Sequence, residues 1–275
     1  METVWYAVLI LAGMGAVLGL VLALASKVFA VQTDERFEPL TDALPGANCG
    51  GCGFSGCAAY AQAVIDGKAK IGLCAPGGQQ AAEQMAQVMG VKAEQTEHIV
   101  AMVRCRHKDV QKKGRYAGLQ DCVSASKIAS AGIHQCEYGC LGFGTCVAAC
   151  KFGAIRLVNG TARVDADKCT GCLACAAACP KKLIIPVPYD ADINVACSNR
   201  DKGALTRKVC DIGCIGCRMC EKVCPHGAIR VTDNVAVIDH AKCDSCGLCA
   251  EKCPRNLISD SNLKKEFDLA PAMQR

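Results

Sequence analysis

Closely spaced cysteines dominate this sequence and restrict its possible folds. The 275 residues include 24 cysteines, enough for six sets of four. Disulfide scaffolds are small domains with cysteines spread over their loops, whereas CxxC spacing directs several thiols inward at a shared metal centre. Aromatic residues make up only 4% of the chain. This predicts a thin hydrophobic core that depends on bound metal for its folding.

A long apolar run lies near the amino terminus. Val4–Ala25 contains 22 residues without a charged side chain, and about twenty are enough for a helix to cross a bilayer. A cleaved signal peptide is the alternative, but Glu2 precedes the run, and the run is longer than the apolar region of such peptides. Lys27 follows the run, and clustered thiols must stay reduced. Residues 1–30 are therefore expected to form a single span in the inner, cytoplasmic membrane, with the rest of the chain on the cytoplasmic side.

The first cysteine group follows a linker at 31–45. It begins in LPGANCGGCGFSGC and ends in GLCAPGG, so its members are Cys49, Cys52, Cys57 and Cys74. Four thiolates at this spacing suit one [4Fe-4S] cluster, and the intervening glycines let the backbone wrap around it. A tetrahedral zinc site is the alternative. Helical periodicity over Ala58–Ile65 and Gln79–Arg104 predicts a small, mostly helical domain at 46–104.

The second half of the chain repeats itself at a distance of 74 residues. Cys136, Cys140, Cys146, Cys150 and Cys169 align with Cys210, Cys214, Cys220, Cys224 and Cys243. Such self-similarity indicates one supersecondary unit used twice. The segments AIRLVNGTARVD and AIRVTDNVAVID predict β-hairpins. We therefore expect tandem α+β ferredoxin-like units at 136–190 and 210–260, with connectors at 105–135 and 191–209 and a tail at 261–275.

The second copy contains two complete CxxCxxCxxxCP runs, which are the signature of bacterial two-cluster ferredoxins. In that arrangement the fourth cysteine of each run binds the cluster of the other run. One predicted [4Fe-4S] cluster therefore has the ligands Cys214, Cys217, Cys220 and Cys253. Its neighbour has the ligands Cys243, Cys246, Cys249 and Cys224.

The first copy departs from this pattern, because Phe143 stands where the second copy has Cys217. One ordinary cluster remains, with Cys169, Cys172, Cys175 and Cys150 as its ligands. The other site keeps Cys140, Cys146 and Cys179 and lacks a fourth ligand. Cys136 is the nearest candidate, and a three-iron cluster is the alternative.

Four cysteines then remain unassigned, namely Cys105, Cys122, Cys197 and Cys210. They could hold a sixth cluster where the two copies meet, in addition to the five expected above. Two alternatives stay open for them. Cys136 could belong to this set and Cys105 to the other, or the four could be buried thiols without a metal.

Other functional patterns are few. No Ser/His/Asp set or carboxylate pair suggests bond-making chemistry, so no catalytic residue is predicted. The basic stretch Arg104–Tyr116 could dock an acidic electron donor such as ferredoxin, or it could be an ordinary solvated face. No nucleic-acid-reading motif accompanies it.

The order of these motifs resembles that of the B subunit of the Rnf complex in its longer polyferredoxin form. The resemblance covers nearly the whole chain: the apolar run, LPGANCGGCGFSGC with its distant CAPGG, GCLGFGTCVAAC and the tandem ferredoxin runs. It implies an iron-sulfur electron-relay subunit of a membrane-bound ferredoxin:NAD⁺ oxidoreductase that translocates Na⁺ or H⁺. It also implies reduced ferredoxin as donor, the A, C, D, E and G subunits as partners, and NAD and flavin sites on those subunits. Shorter Rsx-type relatives suggest an alternative, an anchored polyferredoxin that donates electrons to a redox sensor or another reductase.

Overall fold

The computed structural model of this chain describes residues 2–28, 34–95, 97–106, 116–127 and 133–259. Helix α1 (Glu2–Val28) stands at the amino terminus. Within the described ranges, no helix combines the length and the apolar character that a bilayer crossing requires. The predicted span Val4–Ala25 lies partly outside the residues whose side chains are described. The middle of the basic stretch, 107–115, and the predicted tail, 261–275, also lie outside the described residues.

An amino-terminal domain follows, made of helices around one small core. It contains α2 (Phe37–Asp42), α3 (Cys57–Ile65), a 3₁₀ turn (Ala75–Gly77) and α4 (Gly78–Met89). Leu40, Tyr60 and Met85 are almost completely buried where these helices meet. The Tyr60 hydroxyl donates to the carbonyl of Lys70 at 2.8 Å and accepts from the N–H of Leu73 at 3.2 Å. The side chain of one helix thus holds the loop that carries Cys74.

The predicted helix over Gln79–Arg104 is wrong beyond Met89. Gly90 ends α4 in the left-handed conformation, with φ 68°, which glycine adopts without steric cost. Strand β1 (Ile99–Val103) then replaces the expected helix. Its sequence IVAMV is rich in β-branched residues, and four of its five side chains are buried. Tertiary pairing therefore overrides the local periodicity of this segment.

The first ferredoxin unit runs from β1 to β4. Between them lie α5 (Cys122–Ser126), α6 (Thr145–Ala148), β2 (Ile155–Val158), β3 (Thr161–Val164) and α7 (Ala174–Ala178), and β4 is Ile184–Pro188. β2 and β3 form the predicted hairpin, which turns at Asn159 and Gly160, both with positive φ. β1 pairs antiparallel with β4, from Ile99 opposite Pro188 to Val103 opposite Ile184.

The second ferredoxin unit has the same plan. Its elements are β5 (Asn194–Val195), α8 (Gly203–Val209), α9 (Met219–Val223), β6 (Ile229–Thr232), β7 (Val235–Ile238), α10 (Leu248–Glu251) and β8 (Ile258–Ser259). β6 and β7 form the second predicted hairpin, and β5 pairs with β8. Both hairpin predictions are confirmed.

The strand pairing extends each unit beyond its cysteine repeat. The predicted starts at 136 and 210 are based on cysteine positions alone, whereas β1 and β5 begin at Ile99 and Asn194. The two units also share a hydrophobic core, since Val100 and Val187 of the first unit belong to the same buried cluster as Ile229 of the second. The units therefore pack against each other and are not separated by a free connector.

Candidate metal centres

The amino-terminal domain brings its four cysteines together around the loop before α3. The side-chain oxygen of Asn48 accepts a hydrogen bond from the N–H of Cys57 at 2.8 Å, which closes this loop. Burial raises the pKa of Cys74, and the neighbouring thiols Cys57, Cys49 and Cys52 add to the shift. These interactions place the thiols of Cys49, Cys52 and Cys57 near that of Cys74.

The second ferredoxin unit brings its eight run cysteines into two separate cavities. One cavity is lined by Cys214, Cys217, Cys220 and Cys253, and the other by Cys224, Cys243, Cys246 and Cys249. In both, the fourth cysteine comes from the opposite run, as the sequence predicts. The first unit groups Cys175 with Cys169, Cys172 and Cys150 in the same way.

The remaining site of the first unit differs from the prediction. Its cavity is lined by Cys122 together with Cys140, Cys146 and Cys179, and Cys136 lies elsewhere. The side chain of Asp121 caps α5 by accepting from the N–H of Ser124 at 2.8 Å, so Cys122 stands in the first turn of this short helix. The N–H of Cys122 donates to the hydroxyl of Thr145, in α6, at 2.9 Å.

Phe143 explains why a distant cysteine is needed at this site. Its ring contacts Tyr116, with the ring centroids 5.2 Å apart, and both pack against a buried cluster of Cys122, Ala125 and Leu141. The position that supplies a thiol in the second unit therefore supplies packing for α5 in the first. Cys122 lies outside any run, which is why spacing did not identify it.

Cys136 belongs to another group, which we call the junction set. Cys105, Cys136, Cys197 and Cys210 line one cavity between the two ferredoxin units. The predicted sixth set contained Cys122, whereas the junction set contains Cys136 in its place. The other three members are as predicted. Cys105 follows β1 and Cys197 follows β5, so each unit contributes equivalent residues.

Two hydrogen bonds connect the junction set to the cysteine runs. The N–H of Cys140 donates to Sγ of Cys105 at 3.4 Å, across 35 residues of sequence. The N–H of Cys214 donates to Sγ of Cys197 at 3.4 Å, across only 17 residues. The contacts are equivalent although the sequence distances differ, so the repeat includes Cys105 and Cys197 despite a longer segment in the first unit.

Burial makes several of these thiols hard to ionise. It raises the pKa of Cys146, Cys175 and Cys220 to about 12, and nearby cysteines add to each shift. It raises the pKa of Cys136 and Cys249 to about 11. Metal-binding cysteines must be thiolates, so iron would have to displace a proton from each of them.

The four-cysteine cavities fit iron-sulfur cubes by their donor type and surroundings. Backbone N–H groups point at the sulfurs, as Ala101 does toward Cys169 and Ala228 toward Cys224, each at 3.3 Å. Such donors stabilise the negative charge on cluster-bound sulfur. Across the described parts of the chain, no three His, Cys, Asp or Glu side chains converge on a point that could hold a single metal ion.

Comparisons with protein families find iron-sulfur domains in three parts of the chain. A model described as "Putative Fe-S cluster" matches residues 44–76. A model described as "4Fe-4S binding domain" matches residues 162–185, and one described as "4Fe-4S dicluster domain" matches residues 213–267.

Curated relatives resemble nearly the whole chain. The B subunit of an ion-translocating oxidoreductase complex from Methanosarcina acetivorans is 40% identical over 252 residues, which are 90% of this chain and 95% of the relative. The B subunit of the Na⁺-translocating ferredoxin:NAD⁺ oxidoreductase complex of Acetobacterium woodii is 43% identical, over 91% of this chain and 76% of the relative. The B subunit of the proton-translocating ferredoxin:NAD⁺ oxidoreductase complex of Clostridium ljungdahlii is 41% identical over 97% of both chains.

Proposed function

Because the chain belongs to the B subunits of Rnf-type ion-translocating ferredoxin:NAD⁺ oxidoreductase complexes, we propose that it relays electrons within such a complex. It is an electron-transfer subunit of an oxidoreductase, with 4Fe-4S domains. Reduced ferredoxin is the proposed donor. Two reduced ferredoxins, each giving one electron, supply the two electrons that convert NAD⁺ and one proton into NADH.

The partners of this protein follow from the family. The A, C, D, E and G subunits would carry the membrane path and the NAD and flavin sites. The two relatives named for their coupling ion differ, one being named for Na⁺ and the other for protons. Either ion is therefore compatible with this chain. The basic stretch Arg104–Tyr116 is the proposed docking site for an acidic ferredoxin.

The observation that carries the proposal is the complete grouping of the cysteines. Four cavities are each lined by four cysteines. The remaining eight of the 24 cysteines form two sets of neighbouring thiols. We propose that each of the six sets holds one [4Fe-4S] cluster. A bound cluster exchanges single electrons with little rearrangement of its ligands. The chain itself would supply the thiolates and the N–H donors.

Contacts between the sets support a continuous series. A side chain at Gly51, beside Cys52, would collide with the carbonyl of Cys172 at 2.5 Å, so the amino-terminal set adjoins the first unit closely. Cys150 and Cys179 cross between the two sets of that unit. The junction set then touches both units through Cys105 and Cys197. The series would end at the set that contains Cys224 in the second unit.

Helix α1 supports membrane attachment. Its described apolar side chains are mostly exposed, among them Trp5 (69%), Leu11 (65%) and Leu22 (66%). Exposed apolar side chains along one helix favour a nonpolar environment. We propose that it anchors the protein by a single pass, with the cysteine domains on the cytoplasmic side.

Deleting residues 1–33 tests the anchor. The shortened chain should move from the membrane fraction to the supernatant and keep its iron, because no cysteine lies in the deleted segment. The full-length chain, expressed in parallel, is the control. Sedimentation of the shortened, iron-loaded chain with membranes in the absence of other subunits would contradict the proposed anchor.

Metal analysis tests the clusters. Anaerobically purified chain should contain about twenty-four iron atoms and as many sulfides if all six sets hold cubes. Electron paramagnetic resonance of the reduced protein should show interacting one-electron centres. About sixteen irons would mean that the junction set and the set with Cys122 are empty. Stoichiometric zinc without sulfide would overturn the proposal.

A further inference from the structure

The junction set is surrounded by arginines from both ferredoxin units. Nη1 of Arg163, in β3, donates to the carbonyl of Cys105 at 2.8 Å. Nη2 of Arg255, near the end of the second unit, donates to the carbonyl of Cys210 at 2.6 Å. Arg104 and Arg106 line the same cavity. Two cysteines of the set are therefore each held by a half-buried guanidinium, one from each unit.

Asn199 adds neutral donors at the same cavity. Its side chain is only 2% exposed. Its Oδ1 accepts from the N–H of Asp201 at 2.7 Å, and because a backbone N–H is always a donor, this contact fixes the orientation of the amide. Nδ2 then faces Sγ of Cys136 at 3.6 Å. The backbone N–H of Asn199 donates to Sγ of Cys197 at 3.4 Å. One residue thus contacts two sulfurs of the set.

Charge and hydrogen bonding at this cavity favour an additional electron. A [4Fe-4S] cluster becomes more negative when reduced, so nearby cations and N–H donors raise its reduction potential. Asp201, close to Cys136, opposes this effect, whereas Arg104 and Arg106 line the cavity and Arg163 contacts the backbone of Cys105. The cavity of the second unit where the proposed series ends, which we call the outermost one, contrasts with this arrangement. Asp244, hydrogen-bonded to His226 at 2.9 Å, lines it beside Cys243 and Cys246.

We propose that Asn199 and Arg163 are tuning residues that raise the reduction potential of the junction cluster above that of the cluster at Cys224, Cys243, Cys246 and Cys249. This inference rests on the proposed function, because it assumes that the junction set holds a cluster. The hydrogen bonds from Cys140 and Cys214 place that cluster against both units. The two units would therefore share one electron-holding site of comparatively high potential.

The test is a redox titration of the full chain, purified anaerobically and followed by electron paramagnetic resonance. Cys136→Ser should remove one spectral component, which identifies the junction cluster, and Cys246→Ser should identify the outermost one. Asn199→Asp keeps an oxygen for the N–H of Asp201, removes the donor to Cys136 and adds negative charge. Both changes disfavour the more negative, reduced cluster, so the ratio of reduced to oxidised junction cluster should fall about tenfold at a given potential. For one electron this equals a downward shift of about 59 mV.

Two further variants separate tuning from folding. Arg163→Gln can still donate to the Cys105 carbonyl but lacks the charge, and it should also lower the junction midpoint while iron content stays unchanged. Gln84→Glu, at an exposed position of α4, adds the same charge in the amino-terminal domain, which contributes no described residue to the junction cavity, and should leave the junction midpoint in place. If Asn199→Asp lost the junction cluster, the midpoint measured in Arg163→Gln would test the inference by itself.

The outcomes distinguish this inference from the function on which it rests. If Cys136→Ser changes neither iron content nor spectrum, the junction set holds no cluster, and both the six-cluster proposal and this inference fail. If it removes a component whose midpoint is insensitive to Asn199→Asp and Arg163→Gln, the tuning inference is wrong and the electron-transfer function stands. A junction midpoint below that of the outermost cluster would equally overturn the inference.

Discussion

Phe143 and Cys122 together show how one ligand can move within a repeated unit. Phe143 stands where the second unit has Cys217, and its ring packs against the buried cluster that contains Cys122. The thiol that lines the cavity comes instead from α5, which is held to α6 by the contact between Cys122 and Thr145. A bound cluster would therefore also tie the segment 116–127 to the first ferredoxin unit.

A compensating pair of substitutions tests this exchange. Cys122→Ser should convert or empty one cluster and lower the iron content by about one to four atoms per chain. Adding Phe143→Cys to that variant should restore the lost iron, because it recreates the run of the second unit. Phe143→Cys alone serves as the control and should keep the wild-type iron content. Full iron content in Cys122→Ser would show that another ligand completes the site.

Short strands outside the cysteine repeat close each ferredoxin unit. β1 and β5 each pair with the last strand of their unit and lead directly into a junction cysteine, Cys105 or Cys197. Val100 in β1 is fully buried in the core shared by the two units. The strand thus links hydrophobic packing with the position of the junction set.

Val100→Ala should weaken the packing of β1 in the core that the two ferredoxin units share. Burying a valine side chain contributes about 1.5–3 kcal/mol, so the midpoint of thermal bleaching of the iron-sulfur absorbance should fall by about 5 °C or more. Val91→Ala makes the same change at a side chain that is 54% exposed and should leave the midpoint unchanged. Equal effects of the two substitutions would argue against a structural role for β1.

Contacts across the molecule join the amino-terminal domain to the first ferredoxin unit. Nζ of Lys151 donates to the carbonyls of Ala47 and Asn48, at 3.3 and 3.2 Å, in the loop before Cys49. Gly51 approaches Cys172 so closely that an added Cβ would lie 2.5 Å from its carbonyl oxygen. A contact this short leaves little room between two neighbouring cysteine sets.

Gly51→Ala should disturb this contact. The extra methyl group meets backbone, which cannot move aside cheaply, and overpacking of this kind costs about 1–3 kcal/mol. Iron content should be retained, whereas ferredoxin-dependent NAD⁺ reduction by the assembled complex should slow. Ser55→Ala, an exposed change in the same loop, is the control. Unchanged activity in Gly51→Ala would show that electrons do not cross at this contact.

Cysteine spacing within a run can be interpreted from the sequence because the backbone has limited reach. Each residue spans at most about 3.3–3.6 Å, so the thiols of CxxCxxC must face one centre. The groups around Cys49, Cys175, Cys214 and Cys243, both hairpins and the family resemblance follow from such local patterns. The helix predicted beyond Gly90 is wrong, because the residues of β1 pair with residues of β4 that lie 81 to 89 positions further along the chain, which leaves no local signal.

Cysteines outside the runs could not be assigned to a set from their spacing. The entropy of closing a loop changes slowly with its length, so sequence distance hardly discriminates between Cys105, Cys122 and Cys136 as partners of Cys140. Tertiary packing determines which cysteine joins which set. Helix α5 brings Cys122 into the first unit, and strands β1 and β5 bring Cys105 and Cys197 to the junction. Ligands close together in sequence were therefore predictable from the chain, whereas those that join separate parts of it depended on the three-dimensional fold.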